Sequence, residues 1–163
     1  MKRYIIVFIV VLGIVGVDQL TKYAVSQSLP LHYQKEIIKN FFHIVHIRNP
    51  GIAFGLLTQA GAQYKLLMLL LVFAVAVFIV CYVLYQLRKG SRFQVICFSL
   101  LLGGAAGNLI DRFRIGEVID FLDVHWYSAF HWPAFNVADS AITIGIILLG
   151  LDTILGMKKK KAA

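Results

Sequence analysis

The sequence predicts an all-α membrane protein with four transmembrane helices, and three observations predict it. Its 163 residues are 60% hydrophobic and only 15% charged, with a mean hydropathy of +0.79; a soluble domain carries about 25% charged residues. Four long apolar runs recur along the chain, and basic residues collect in short segments between and beyond them. A water-soluble fold this short exposes too large a fraction of itself to hide so much apolar surface, so lipid is the expected solvent. A single domain over residues 1–163 is expected from the length.

The first run covers residues 4–25, clean from Tyr4 to Val17 and continuing through Asp18, Gln19 and Lys22 to Val25. Residues 66–87 form the second, without a charge, and correspond to roughly 33 Å of helix, enough to span. The third, residues 93–110, is also uncharged. It contains the small-residue patch Gly103, Gly104, Ala105, Ala106, Gly107, whose GxxxG spacing lets a neighbouring helix approach closely. Asp139 and Asp152 interrupt the fourth, residues 137–157, near its two ends. Lys2-Arg3, an apolar run and Ala24-Val25-Ser26 also fit a cleaved secretory signal. Asp18 and Lys22 fall where that reading needs an unbroken apolar core and a neutral cleavage region, so the run is expected to stay as a span.

Four spans put both termini on one side. That side collects Lys2, Arg3, Arg88, Lys89, Arg92 and Lys158 to Lys161, nine of the sixteen basic residues, which makes it the cytoplasm. Segments 26–65 and 111–136 then face outward. Asn40 to Asn49 is rich in β-branched and aromatic residues and reads as one or two short strands, ended by the turn signal Asn49-Pro50-Gly51. Trp126, Tyr127, Phe130, Trp132, Pro133 and Phe135 predict an amphipathic loop lying at headgroup depth. The +8 formal charge sits at the span flanks rather than in a basic stripe with aromatics, so nucleic-acid binding is not expected. Cys81 and Cys97 lie in apolar runs and read as buried reduced thiols.

Ionisable groups at membrane depth are costly and usually functional. Of eight acidic residues, Asp18, Asp111, Asp120 and Asp139 fall at or near the outer ends of spans, together with Lys22 and Arg112 and flanked by Asn108 and Asn136. Asp18 and Lys22, four apart on one helix face, are equally readable as a plain ion pair, and Asp111 and Arg112 as ordinary interfacial charges. Asp120, between Ile119 and Phe121, and Asp139, in the first turn of a span, are harder to dismiss. Two carboxylates in a half-dry site tend to share one proton. Such a pair supplies an acid and a base together, as peptide hydrolysis without a covalent intermediate requires. Cys81 and Cys97 sit near the cytoplasmic turn, and Ser140 has no evident partner base. Metal ligation by His43, His46, His125 and His131 with the aspartates has no HExxH or comparable spacing behind it.

Four blocks carry a family resemblance: Asp18-Gln-Leu-Thr-Lys22; Arg48-Asn-Pro-Gly-Ile-Ala-Phe-Gly55; Gly103-Gly-Ala-Ala-Gly-Asn-Leu-Ile-Asp-Arg112 with Gly116-Glu-Val-Ile-Asp-Phe121; and Phe135-Asn-Val-Ala-Asp139. In this order, on spans of this polarity, they resemble the bacterial lipoprotein signal peptidases (type II) over almost the whole chain. The resemblance implies Asp120 and Asp139 as a catalytic dyad. It further implies Asn49, Gly51, Asn108, Arg112 and Asn136 as residues shaping the site, with Asp18 and Lys22 in support. The implied substrate is a prolipoprotein whose cysteine already carries diacylglycerol, cleaved just before that cysteine, and the implied inhibitors are cyclic peptides such as globomycin. The implied fold is a four-helix bundle in the bacterial cytoplasmic membrane, with a small extracytoplasmic β-sheet and an amphipathic loop over the site. No cofactor or metal is expected, and a monomer is.

Two rival readings stay open on the residues alone. A small ion- or proton-coupled transporter would use Asp18, Asp120 and Asp139 as a relay, although the acids gather at one interface and no inverted repeat is evident. A non-catalytic assembly subunit would use the same charges as interfacial pairs. The segment from His125 to Phe135 is expected to act as a lid excluding water from the site.

Overall fold

The computed structural model describes residues 2–50, 70–71, 74–83, 85, 91–127 and 129–161. Among the described residues, three helices are long and apolar enough to cross a membrane. They are α1 (Lys2–Ser28), α3 (Arg92–Ile115) and α4 (Val137–Lys161). A shorter apolar helix, α2 (Ala74–Val83), lies inside the second expected span; the rest of 66–87 falls mostly outside the described residues. Among the described residues α3 is the central helix, packing on α4 and α1.

The small-residue patch explains how α3 takes that position. A methyl group on Gly104 would collide with the Ala138 carbonyl oxygen of α4, and one on Gly107 would stand 2.7 Å from Asp18 Oδ2 of α1. Both neighbours come this close only because α3 has no side chain there. The patch is therefore consumed within the chain. On the outward faces, Phe8, Ile9 and Leu20 of α1, Phe113 of α3 and Ile146 and Leu155 of α4 are exposed, a surface that lipid accepts and water does not.

Helix ends differ from the apolar runs. Ser91 accepts from the Gln94 N–H and Gln94 reaches back to the Ser91 N–H, a capping box that starts α3. At its other end α3 runs past Ile110 to Ile115, taking in Asp111 and Arg112, and stops at Gly116 with φ 76°. The extra turn is possible because Asp111 is neutralised by Lys22 from α1 at 2.8 Å. Similarly, α1 passes through Asp18 and Lys22 without a break because they pair.

A four-stranded antiparallel sheet, order β1-β2-β3-β4, caps the end of the bundle that holds these charges. Its strands are β1 (Gln34–Ile38), β2 (Phe42–Asn49), β3 (Val118–Trp126) and β4 (Phe130–His131). The strand expected between residues 40 and 49 is β2. Its partner β3 lies in the segment expected to be an aromatic surface loop. That segment is instead a hairpin: His125 and Trp126 pair with His131 and Phe130, and Phe135 bridges to Leu122. Val118–Trp126 is β-branched and aromatic enough for a strand but is covered on both faces at its start, so it shows no clean alternation. Opposite Phe121, β2 carries two residues, Val45 and His46, a bulge that twists the strand as it passes over the helices.

Cys97 is buried as expected, whereas Cys81 of α2 is exposed; neither is in a disulfide.

Candidate active site

Three helix ends and the start of β3 meet in one layer. Asp18 and Lys22 come from α1, Asn108, Asp111 and Arg112 from the last turns of α3, Asn136 and Asp139 from the start of α4, and Asp120 from β3. Antiparallel packing makes this convergence unavoidable: where α3 ends, α4 begins. Asn49, the last residue of β2, is delivered by the register that pairs it with Val118.

Lys22 is the electrostatic centre of the layer. Its Nζ lies 2.8 Å from Asp18 Oδ2, 2.8 Å from Asp111 Oδ2 and donates to Asn108 Oδ1 at 3.0 Å. Three ammonium protons thus meet three oxygens, which is what a lysine exposed by only 2% needs. Asp18, fully buried, has a second task. Its Oδ1 accepts the Ala138 N–H at 2.9 Å, so α1 supplies the anionic cap for α4. Gln19, absent from the expected set, ties the cluster further, donating to Asp111 Oδ1 at 2.9 Å and to the Gly107 carbonyl at 3.2 Å. Its presence in the first motif block was the available signal. Asp111 is no ordinary interfacial charge: besides Lys22 and Gln19 it accepts the Ile119 N–H at 3.2 Å, fixing the start of β3.

Above this ion-pair layer stand the two remaining aspartates. Asn136 donates through Nδ2 to Asp120 Oδ1 at 2.8 Å. Its Oδ1 accepts the Asp139 N–H at 2.9 Å, and Asp139 Oδ2 accepts the Asn136 N–H at 3.3 Å, a reciprocal cap that starts α4. The other oxygen of each carboxylate has its own amide donor. Asn49 Nδ2 donates to Asp120 Oδ2 at 3.0 Å and Asn108 Nδ2 to Asp139 Oδ1 at 2.7 Å. A short chain of amides, with Asn136 Nδ2 3.1 Å from Asn108 Oδ1, joins the pair to Lys22. Arg112, whose Nη1 donates to the Asn108 carbonyl at 3.3 Å, has Asp139, Asp120 and Asp111 as its anionic neighbours.

Burial pushes the Asp120 carboxyl up to about 7, and the neighbouring Asp139 adds to the rise, against hydrogen bonds from Asn49 and Asn136. A carboxyl with such a value holds or releases a proton near neutrality, as general acid or base chemistry requires. Asn49, Asn108, Arg112, Asn136, Asp18, Lys22, Asp120 and Asp139 are thus brought into one connected layer; Gly51 lies outside the described residues.

A family model described as signal peptidase (SPase) II matches residues 9–155. The chain is similar to the lipoprotein signal peptidase of Syntrophotalea carbinolica, 45% identical over 149 residues and covering 91% of each chain. It is also similar to that of Syntrophus aciditrophicus, 44% identical over 161 residues, 98% of this chain and 99% of the other. Among solved structures, a bacterial membrane enzyme determined by the in meso method at 2.3 Å resolution superposes with a TM-score of 0.79. It is 32% identical, covering 94% of this chain and 90% of that one. A second bacterial membrane enzyme, at 1.9 Å resolution, gives 0.73 at 33% identity, covering 90% and 91%.

Proposed function

The chain belongs to the signal peptidase II family, and we propose that it cleaves diacylglyceryl-modified prolipoproteins just before the lipidated cysteine, with Asp120 and Asp139 as catalytic pair. The observation that carries the residue assignment is Asn136. Its Nδ2 donates to the Asp120 carboxylate, its Oδ1 accepts the Asp139 backbone N–H and its own backbone N–H donates to Asp139 Oδ2, so one buried residue positions both carboxylates. Asn49 and Asn108 fix their outer oxygens, and Lys22 with Asp18 and Asp111 anchors the amides from below.

In the proposed chemistry the pair holds one proton between them. The ionised carboxylate takes a proton from water as the water oxygen attacks the scissile carbonyl carbon. The protonated partner gives its proton to the carbonyl oxygen, so a neutral tetrahedral diol forms and the shared proton now sits on the carboxyl that took it from water. On collapse one diol hydroxyl returns its proton to the ionised carboxylate, and the C–N bond breaks as the amine nitrogen takes the proton of the other carboxyl. The signal peptide leaves with a new carboxyl end while the pair again holds one proton. No covalent enzyme intermediate is needed.

The membrane setting belongs to the same proposal. Residues 66–87, which include α2, provide the remaining span, giving four spans and one domain over residues 1–163. Both termini then face the cytoplasm of a bacterial cell, and the sheet and the aspartates sit at the outer side of the cytoplasmic membrane. A monomer suffices, because the GxxxG patch is occupied by Asp18 and Ala138 of the same chain. A lipidated substrate diffusing in the membrane plane presents its scissile bond at headgroup depth, where this layer lies, and cyclic peptides such as globomycin are expected to compete for it. The transporter reading has no comparable support.

The test is cleavage of a lipidated prolipoprotein by purified protein in detergent. Asp120→Asn and Asp139→Asn are each expected to lose at least about a hundredfold in rate, with wild-type cleavage surviving chelator. Near-normal turnover by either variant would sink the dyad, and full chelator sensitivity would point to a catalytic metal.

A further inference from the structure

Away from the aspartate pair, the sheet gathers four side chains of metal-binding chemistry that the peptidase reaction does not use. Cross-strand register explains why they meet. His43 of β2 pairs with Asp123 of β3, and His125 of β3 pairs with His131 of β4. Asp123 and His125 are two residues apart on one strand and so share a face. Asp120 is an odd number of residues from Asp123 on the same strand, which puts the cluster on the face opposite the aspartate pair. Linear spacing could not reveal this set, because three strands contribute to it.

We propose that His43, Asp123 and His125, with His131 as fourth donor, form a binding site for a borderline divalent transition metal, best matched by Zn2+. The donor atoms of His43, Asp123 and His125 all lie within 4.8 Å of one another. His43 Nδ1 is 3.4 Å from Asp123 Oδ2 and His125 Nδ1 is 3.8 Å from the same oxygen. Tetrahedral zinc with bonds of about 2.0–2.1 Å sets its donors about 3.4 Å apart, so small side-chain rotations close the set. His131 Nε2 approaches Asp123 Oδ1 to 2.8 Å outside hydrogen-bonding alignment. That oxygen and His125 Nδ1 are left buried without a hydrogen bond, an uncommon condition for polar atoms and one that a cation relieves. Glu36 completes the pattern. Its Oε1 is 3.6 Å from Nε2 of His43, the ring nitrogen facing away from Asp123, where metal-binding histidines find an orienting carboxylate. Three imidazoles and one carboxylate suit Zn2+ by ligand type and leave no redox step to balance. The site joins β2, β3 and β4, so its metal braces the aromatic hairpin of Trp126 to Trp132 against the sheet rather than taking part in cleavage.

The experiment is Zn2+ titration of the tag-free, full-length protein in detergent, in competition with a chromophoric indicator. One Zn2+ per chain is expected, released by EDTA. His43→Gln and His125→Gln should each weaken binding at least tenfold, and His32→Gln, outside the cluster, by less. Absence of stoichiometric binding, a loss under tenfold in both cluster variants, or an equal loss in His32→Gln overturns the site. X-ray absorption of the Zn2+-loaded wild type decides without any variant: two or three imidazoles with oxygen support it, and a sulfur ligand or fewer than two imidazoles refutes it.

Discussion

Lys22 shows how much a single side chain settles here. Its ammonium sits between Asp18 and Asp111 at 2.8 Å from each, with all three nearly inaccessible to water. Removing it leaves two buried carboxylates facing each other, for which the cost is about 3–5 kcal/mol. Lys22→Met should therefore lower the thermal unfolding midpoint in detergent strongly, and adding Asp111→Asn should recover part of the loss. An unchanged midpoint for Lys22→Met would mean the triad is dispensable. Asp120 makes a different prediction. Its folded value near 7 stands above the ordinary aspartate value of 3.8, so between about pH 4 and 7 the unfolded chain has released a proton that the folded protein still holds. Stability from this group is therefore lost as pH rises through that window and is constant above it. Asp120→Asn lacks the titration, so its midpoint relative to wild type should rise between pH 5 and pH 8. A pH-independent difference would count against a buried, neutral Asp120. In the sequence Asp120 stands out between apolar neighbours and Asp139 by its place in the first turn of an apolar run. The partners of Gln19 and Asp111 do not, since they lie on other elements.

Among the elements, α3 carries the packing that brings the site together. Gly104→Ala places a methyl against the Ala138 carbonyl at the first turn of α4, and overpacking of this kind costs about 1–3 kcal/mol. Gly13→Ala and Gly16→Ala on α1 meet nothing within 4 Å and should be neutral or gain up to about 1 kcal/mol from helix propensity. Thermal unfolding of the three variants checks the order; equal effects would remove the close-approach explanation. Helices were readable because long apolar runs have few alternatives. Strand β3 was hidden because its two faces are both covered at Asp120 and Phe121, leaving no period of two to detect. The aromatic residues after it looked like a surface loop until backbone pairing with His125 and Trp126 made them a hairpin.

For the whole molecule, the proposed orientation decides on which side of the membrane the cluster of acids lies. A reporter fused after Lys161 should be cytoplasmic, and a cysteine placed at Tyr127, in the exposed turn between β3 and β4, should react with an impermeant reagent from the outer side. An external signal at Lys161 would reverse the topology and put the aspartates in the cytoplasm. The prediction rests on nine basic residues in short flanking segments, a bias that acts during insertion and so leaves its record in the chain itself.

The sequence by itself determined the solvent, the spans over residues 4–25, 93–110 and 137–157 as helices, and the group of residues from which a site could be built. Hydrophobicity and charge are properties of each residue and need no partner to be read. Tertiary structure alone decided that Asp18 caps α4, that Asp111 belongs to Lys22 rather than to solvent, that Asn136 grips both aspartates, and that His43, Asp123 and His125 share one face of a sheet. Each of these is a distance between residues far apart in the chain, set by which helix face turns inward and by strand register. Those two quantities exist only once the chain has packed.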